Sequence, residues 1–346
     1  MQSASRTGSM SFPATKYMGS KRALLPFILD SISHLKFDSV LDAFSGSACV
    51  AYGFKQRGHQ VHSNDFLRFA FRVAHATIEN NSTRLDEDDL SQLLRRNKKA
   101  KTFIQETFAD LYFNAEEDAF LDNLWANIQE MTNPLKRSLA PASACRAAMK
   151  KRPRGIFTFT GKKGWDGRND LRLTMREQFL EAARQFNAAV FSNRRRNRAF
   201  CSDVFDIDPE PYDLVYIDPP YVSPYSDCDY TRRYHFLEGL CTYWTGVELM
   251  PQTLTKKIRS YPTDFSTKEK ATEAFRRLFE HFRGSTLAVS YSSNAIPSKC
   301  EMVRLLKEFK RNVEVREIQH RYSHGNHNHK VGDNNNSVIE YLYVAC

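Results

Sequence analysis

Asp218-Pro219-Pro220-Tyr221 places a carboxylate, a stiffened backbone and an aromatic ring side by side, directly after the apolar run of residues 212–217. That run reads as a buried strand, and in an open α/β sheet ligands bind at the carboxyl ends of the strands. Two prolines restrict the backbone, so the Pro219 carbonyl faces a fixed direction. Together the four residues have the chemistry to grip a planar, amine-bearing base. An Asp218 oxygen and the Pro219 carbonyl would accept the two amine hydrogens, which draws the nitrogen lone pair out of ring conjugation and makes it a better nucleophile. Tyr221 would stack on the ring face. An isolated four-residue match of this kind is equally an ordinary Pro-Pro turn, so its meaning depends on what else the chain carries.

Residues 42–48, Asp-Ala-Phe-Ser-Gly-Ser-Ala, follow a second strand-like run and enter a helical pattern. Small residues there let a nucleotide-like ligand approach the backbone. The G-x-G-x-x-G spacing of a pyrophosphate site is absent. A glycine-poor loop opened by an aspartate suits a ligand with an amino-acid end and no phosphates, such as S-adenosylmethionine (AdoMet). Asp65 follows by roughly twenty residues, the spacing at which a carboxylate ending the next strand can accept ribose hydroxyls; it is equally placed to cap a helix. Asp203, ahead of Asp218-Pro219-Pro220-Tyr221, is placed either to accept from an adenine amine or to cap a turn.

The elements that would position these residues are legible. Residues 40–44 and 61–66 read as strands flanking a helix at 49–56, a βαβ opening preceded by a helix at 21–35 whose apolar positions fall at helical spacing. Strand texture returns at 199–204 and 214–217, followed by helices at 235–243 and 268–283, a strand at 287–291, a helix at 302–310 and closing strands around 313–319 and 337–344. Residues 85–195 carry helical patterns only and read as an insert. The expected fold is therefore α/β, with a Rossmann-like sheet formed by residues 10–84 and 196–346. Residues 1–9 read as an expression leader.

The 346 residues suffice for a large α/β domain with an insertion. The seven cysteines are scattered, odd in number and without a C-x-x-C pair, which argues against a disulfide framework or a zinc ribbon. No run is long and apolar enough to span a bilayer, so a cytoplasmic protein with no membrane partner is expected. The net charge of +10 is unevenly placed. Residues 134–200 hold 17 lysines and arginines against 4 acidic residues, a surplus of 13 that leaves the rest of the chain at −3. Interleaved aromatic residues make this stretch a candidate for phosphate-backbone attraction.

Lys16-Tyr17-Met18-Gly19-Ser20-Lys21, the loop from Asp42 to Ala48, Asn64-Asp65 and Asp218-Pro219-Pro220-Tyr221 occur in the order of the motifs of Dam-type DNA adenine-N6 methyltransferases, which this chain resembles. The resemblance covers residues 14–84 and 199–346, with the insert matching by position. It implies a Rossmann-like AdoMet-dependent methyltransferase fold whose insert recognises the target. It further implies that Tyr17 and Lys21 hold the methionine part of AdoMet, with Asp42, Phe44, Gly46 and Ser47 along the cofactor loop, Asp65 on the ribose and Asp203 at the adenine amine. Asp218, Pro219, Pro220 and Tyr221 would form the catalytic grip. The chain departs from the family at Ala48, where a second glycine is usual.

The expected reaction is methyl transfer to N6 of an adenine flipped out of double-stranded DNA, within a restriction-modification system that includes a cognate endonuclease. The rival readings are an RNA adenine-N6 or DNA cytosine-N4 methyltransferase using the same grip, or a non-catalytic nucleic-acid-binding module. Candidate DNA contacts are Lys162, Lys163, Trp165, Arg168, Tyr225 and Tyr230. No metal is expected: His320, His324, His327 and His329 have no acidic or cysteine partner at ligand spacing.

Overall fold

The computed structural model describes residues 12–161, 169–209, 212–222, 228–261, 263–321 and 337–346. Seven strands form one sheet: β1 (Ser39–Asp42), β2 (Gln60–Asn64), β3 (Arg198–Phe200), β4 (Leu214–Ile217), β5 (Thr286–Ser292), β6 (Val313–Arg321) and β7 (Ser337–Ala345). Their spatial order is β3-β2-β1-β4-β5-β7-β6. The first five run parallel, and β7 enters antiparallel between β5 and β6. The chain winds outward from β1 to β3 on one side and from β4 on the other. The crevice between the carboxyl ends of β1 and β4 is therefore the switch point at which such sheets bind ligands.

Both faces of the sheet are covered, which is why its central strands are continuous apolar runs rather than alternating ones. On one face Val40, Leu214, Tyr216 and Ala288 join the helices Leu25–Ser31, Cys49–Gln56, Arg68–Ala74, Lys136–Lys150 and Met175–Ala189. On the other, Leu41, Val215, Ile217, Leu287 and Val289 pack with the helices Lys268–His281 and Lys299–Lys307. Successive side chains along each strand thus alternate between two cores, the two-residue period of a strand.

Boundaries moved where capping chemistry overrode the apolar pattern. The helix read at 235–243 begins at Tyr230, because the Asp229 carboxylate accepts from Arg232 N at 2.8 Å and caps it. The helix read at 21–35 is shorter, Leu25–Ser31, with Pro26 in its first turn where a missing N–H is harmless. The strand read at 199–204 ends at Phe200, and the chain turns into a 3-10 segment, Val204–Asp206. Between β2 and β3 the described residues of 85–195 hold helices and loops but no strand, and two of the helices, Ala115–Glu130 and Met175–Ala189, open with capping boxes at Asn114 and Thr174.

Candidate active site

A cavity of about 550 Å³ opens at the switch point, and Tyr17, Lys21, Asp42, Phe44, Gly46, Ser47, Asp65, Asp218, Pro219, Pro220, Tyr221 and Tyr230 all line it. Residues separated by some two hundred positions in the chain are brought together because β1 and β4 are neighbours. Asp42 ends β1, Asp65 follows β2 and Asp218 follows β4.

The cofactor side is built on the small-residue loop. Gly46 has φ of +48°, and a Cβ there would lie 2.8 Å from the Tyr17 ring, so only glycine fits. Tyr17 is held by near-parallel stacking on Tyr234, 5.1 Å between centroids at 11°, with Tyr230 at 5.8 Å. Ala48 takes the left-handed conformation, φ 60° and ψ 14°, that a glycine would adopt without strain. Its methyl is fully buried, which offsets the roughly 1–2 kcal/mol such a backbone costs.

Asp65 accepts from Gly46 N at 2.7 Å and from Leu67 N at 2.9 Å, tying the end of β2 to the loop. Burial pushes its carboxyl up to about 6, against the two backbone donors. Asp42 accepts from Ala51 N through Oδ2, at 3.1 Å, while its buried Oδ1 has no hydrogen-bond partner. Burial, and next the charge of Asp218, push the Asp42 carboxyl up to about 8. An orphaned carboxylate oxygen beside a glycine cradle and a second, tethered carboxylate is a donor set that fits the ammonium and the hydroxyls of AdoMet.

On the acceptor side, Lys21 Nζ stands 2.8 Å from Asp218 Oδ1 and 4.7 Å from the centre of the Tyr221 ring. Lys21, which the resemblance assigns to the methionine part of AdoMet, thus also reaches the acceptor grip from the same cavity. The Asp218 carboxyl is raised by burial; Lys21 lowers it and Glu340 raises it. The Tyr221 hydroxyl donates to Glu340 Oε2 at 3.2 Å, and its ring meets Tyr291 edge-on at 4.8 Å. Lys21 thus lies beside the carboxylate of Asp218 and over the face of Tyr221.

Asp203 is exposed, does not line the cavity, and accepts from Phe205 N at 3.0 Å, the turn-capping arrangement. Lys162, Lys163, Trp165, Arg168 and Tyr225 lie outside the described residues, as do residues 1–9, His324, His327 and His329. Sequence reasoning missed Glu340 and undervalued Tyr234. The signal for Glu340 was available: it is the one carboxylate in the otherwise apolar run of β7. Among the described residues no group of three or more His, Cys, Asp or Glu could hold a metal.

The basic surplus of residues 134–200 is partly structural. Arg152 is fully buried and donates to the carbonyls of Tyr112, Gly161 and Phe159. Lys151 pairs with Glu117 at 2.7 Å, Lys150 with Asp170 at 3.0 Å, and buried Arg146 binds Gln185 at 2.7 Å. Arg154, Arg172, Arg176, Arg194 and Arg196 are exposed.

Comparison with known proteins agrees with this geometry. The Type II methyltransferase M2.HphI of Haemophilus parahaemolyticus is 28% identical over 326 residues, 90% of this chain and 92% of that protein. The modification methylase StsI of Streptococcus sanguinis is 28% identical over 88% of this chain, and the Type II methyltransferase M.FokI of Planomicrobium okeanokoites 26% over 84%. The chain spans about half the length of these last two, 48% and 46%. Residues 17–292 match the D12 class N6 adenine-specific DNA methyltransferases, from the Tyr17 motif through the whole of β5. The chain belongs to the D12 class N6 adenine-specific DNA methyltransferase family.

Proposed function

We propose that this protein methylates N6 of adenine at one specific duplex DNA sequence, as the modification partner of a restriction endonuclease. One observation carries the reading. Asp218 and Tyr221 share a single switch-point cavity with Asp42, Asp65 and the Gly46 loop, so a donor and an acceptor can meet there. When bound, AdoMet supplies a methyl group on a cationic sulfur that needs no further activation. Asp42 Oδ1 would hold its ammonium, Asp65 its ribose hydroxyls, and Tyr17 and Gly46 would shape the passage between.

The remaining work falls to the acceptor grip. Asp218 and the Pro219 carbonyl take the two amine hydrogens of the flipped base, which localises the nitrogen lone pair toward the donor. Tyr221 stacks on the base and fixes its plane. The protein therefore contributes orientation and amine polarisation rather than covalent catalysis. As the amine gains its methyl it must lose a proton, and Asp218, raised by burial and set to accept an amine hydrogen, would take it. The adenine must leave the helix because its amine is otherwise engaged in pairing.

The test is a panel of duplex DNA, single-stranded DNA and RNA with labelled AdoMet, combined with methylation-sensitive sequencing of DNA from cells expressing the protein. Methyl-adenine at one duplex sequence supports the proposal. Labelling of RNA alone, of cytosine, or of nothing would overturn it in favour of a rival reading.

A further inference from the structure

We propose that Glu340 is a positioning residue for the target base, acting through the hydroxyl of Tyr221; the inference rests on the methyl-transfer reading of the cavity. Glu340 lies in the middle of β7, paired across the sheet with Ser292 on one side and Ile318 on the other. It is 1% exposed. Alternate positions of a strand share a face, and Val338, two residues before it, lines the cavity. A carboxylate in such a place is costly unless it has partners, and the Tyr221 hydroxyl donates to it at 3.2 Å.

This contact does two things for the ring. With Tyr291 against its edge, the hydroxyl tether fixes both the tilt and the rotation of Tyr221, so the face that meets the base keeps one orientation. A phenol donating to a carboxylate is also richer in electrons, and its face then attracts positive charge more strongly. That matters here because methyl transfer leaves positive charge on the acceptor amine. Lys21 shows that the face accepts a cation, its ammonium lying 4.7 Å from the ring centre.

The inference is tested with Glu340→Leu, Glu340→Gln, Tyr221→Phe and the Tyr221→Phe/Glu340→Leu double variant, on the duplex that the wild-type protein methylates. Loss of a hydrogen bond to a charged group corresponds to about tenfold or more, so Glu340→Leu should lower the single-turnover rate by at least about tenfold. AdoMet affinity should stay within about twofold by the same accounting, since the cofactor residues are untouched. Glutamine still accepts the hydroxyl hydrogen and should restore most of the rate. In the Tyr221→Phe background Glu340→Leu should cost much less than in wild type, because the hydroxyl through which it acts is gone and only its charge on Asp218 is left to lose. With 2-aminopurine at the target position, Glu340→Leu should give brighter fluorescence than wild type, from a base that is flipped but poorly stacked.

A full loss persisting in the Tyr221→Phe background, or no loss at all, would overturn the inference. If the leucine variant fails to bind AdoMet, Glu340→Gln decides: it must cost less than Tyr221→Phe and little further when combined with it. Absence of turnover by the wild-type protein would instead sink the methyl-transfer reading itself.

Discussion

Replacing Asp42 with asparagine separates what the buried carboxylate does for a ligand from what it does to the fold. Asp42 is 1% exposed, with one oxygen on Ala51 N and the other unpartnered. Its carboxyl titrates near 8 in the folded protein against 3.8 when exposed. The unfolded chain therefore releases this proton from about pH 4 upward, while the folded protein holds it until about pH 8. The sign follows: the group's contribution to stability is intact below about pH 4 and is lost as pH rises to about 8, at about 1.4 kcal/mol per unit. As upper figures, the loss is roughly 2 kcal/mol at pH 5 and roughly 5 kcal/mol at pH 8.

Asparagine keeps the size and the acceptor for Ala51 N but does not titrate. The ligand-free variant should thus be more stable than wild type, with the gain growing by roughly 4 kcal/mol between pH 5 and pH 8. Urea unfolding at the two pH values measures it. AdoMet binding should move the other way. An ammonium on Asp42 favours the ionised carboxyl, so binding at pH 7 should release a proton, visible by calorimetry in buffers of different ionisation enthalpy. The variant should bind weakly and release none. A stability gain that is equal at both pH values would refute the buried-carboxyl argument, and undiminished AdoMet affinity would refute the ligand assignment.

Asp218→Ala should lower turnover by at least about a hundredfold while AdoMet still binds, because this carboxylate faces the acceptor amine; substantial residual methylation would remove it from the grip. Asp65→Ala should weaken AdoMet binding by roughly 1.5–3 kcal/mol, the value of charge-assisted hydrogen bonds to hydroxyls, and calorimetry showing no change would leave Asp65 only its ties to Gly46 and Leu67. Replacing Lys162 and Lys163 with alanine should lower the slope of log DNA affinity against log salt by roughly one unit per lost phosphate contact, on every duplex alike. An unchanged slope would show that these two lysines do not meet the backbone.

The parts legible in the sequence share a physical cause. Strands buried on both faces must be apolar throughout, so β1, β4 and β5 stand out as runs, and the residue that ends such a run is at the ligand-binding edge whatever the rest of the fold does. Asp42 and Asp218 were found in that way, and Asp65 by its spacing of roughly twenty residues from the first loop. What stayed hidden depends on pairing across long separations. Nothing near Glu340 in sequence indicates that β7 inserts between β5 and β6 and delivers its carboxylate to Tyr221, 119 positions away. Lys21 was assigned by motif to the methionine end, and the packing of the Gly19 turn adds a contact that the motif does not show, its ammonium against Asp218. Asp203 was ambiguous between ligand and cap in the sequence, and the turn at Val204–Asp206 uses it as a cap.

The charge distribution follows from the same geometry. Asp42, Asp65 and Asp218 line one cavity, and Glu340 stands close enough to raise the carboxyl of Asp218. Burial holds the Asp42 carboxyl protonated up to about pH 8, and Lys21 and Arg321 line the same cavity, so its wall offers carboxyl oxygens to an ammonium or an amine edge without a large negative charge. The proposed reaction asks for a further surface to hold the DNA backbone. The exposed arginines among residues 134–200 can supply that attraction, while Arg146, Lys150, Lys151 and Arg152 are engaged within the protein. A DNA backbone held on that surface would reach the cavity only through an extruded nucleotide, which is what the proposed reaction requires.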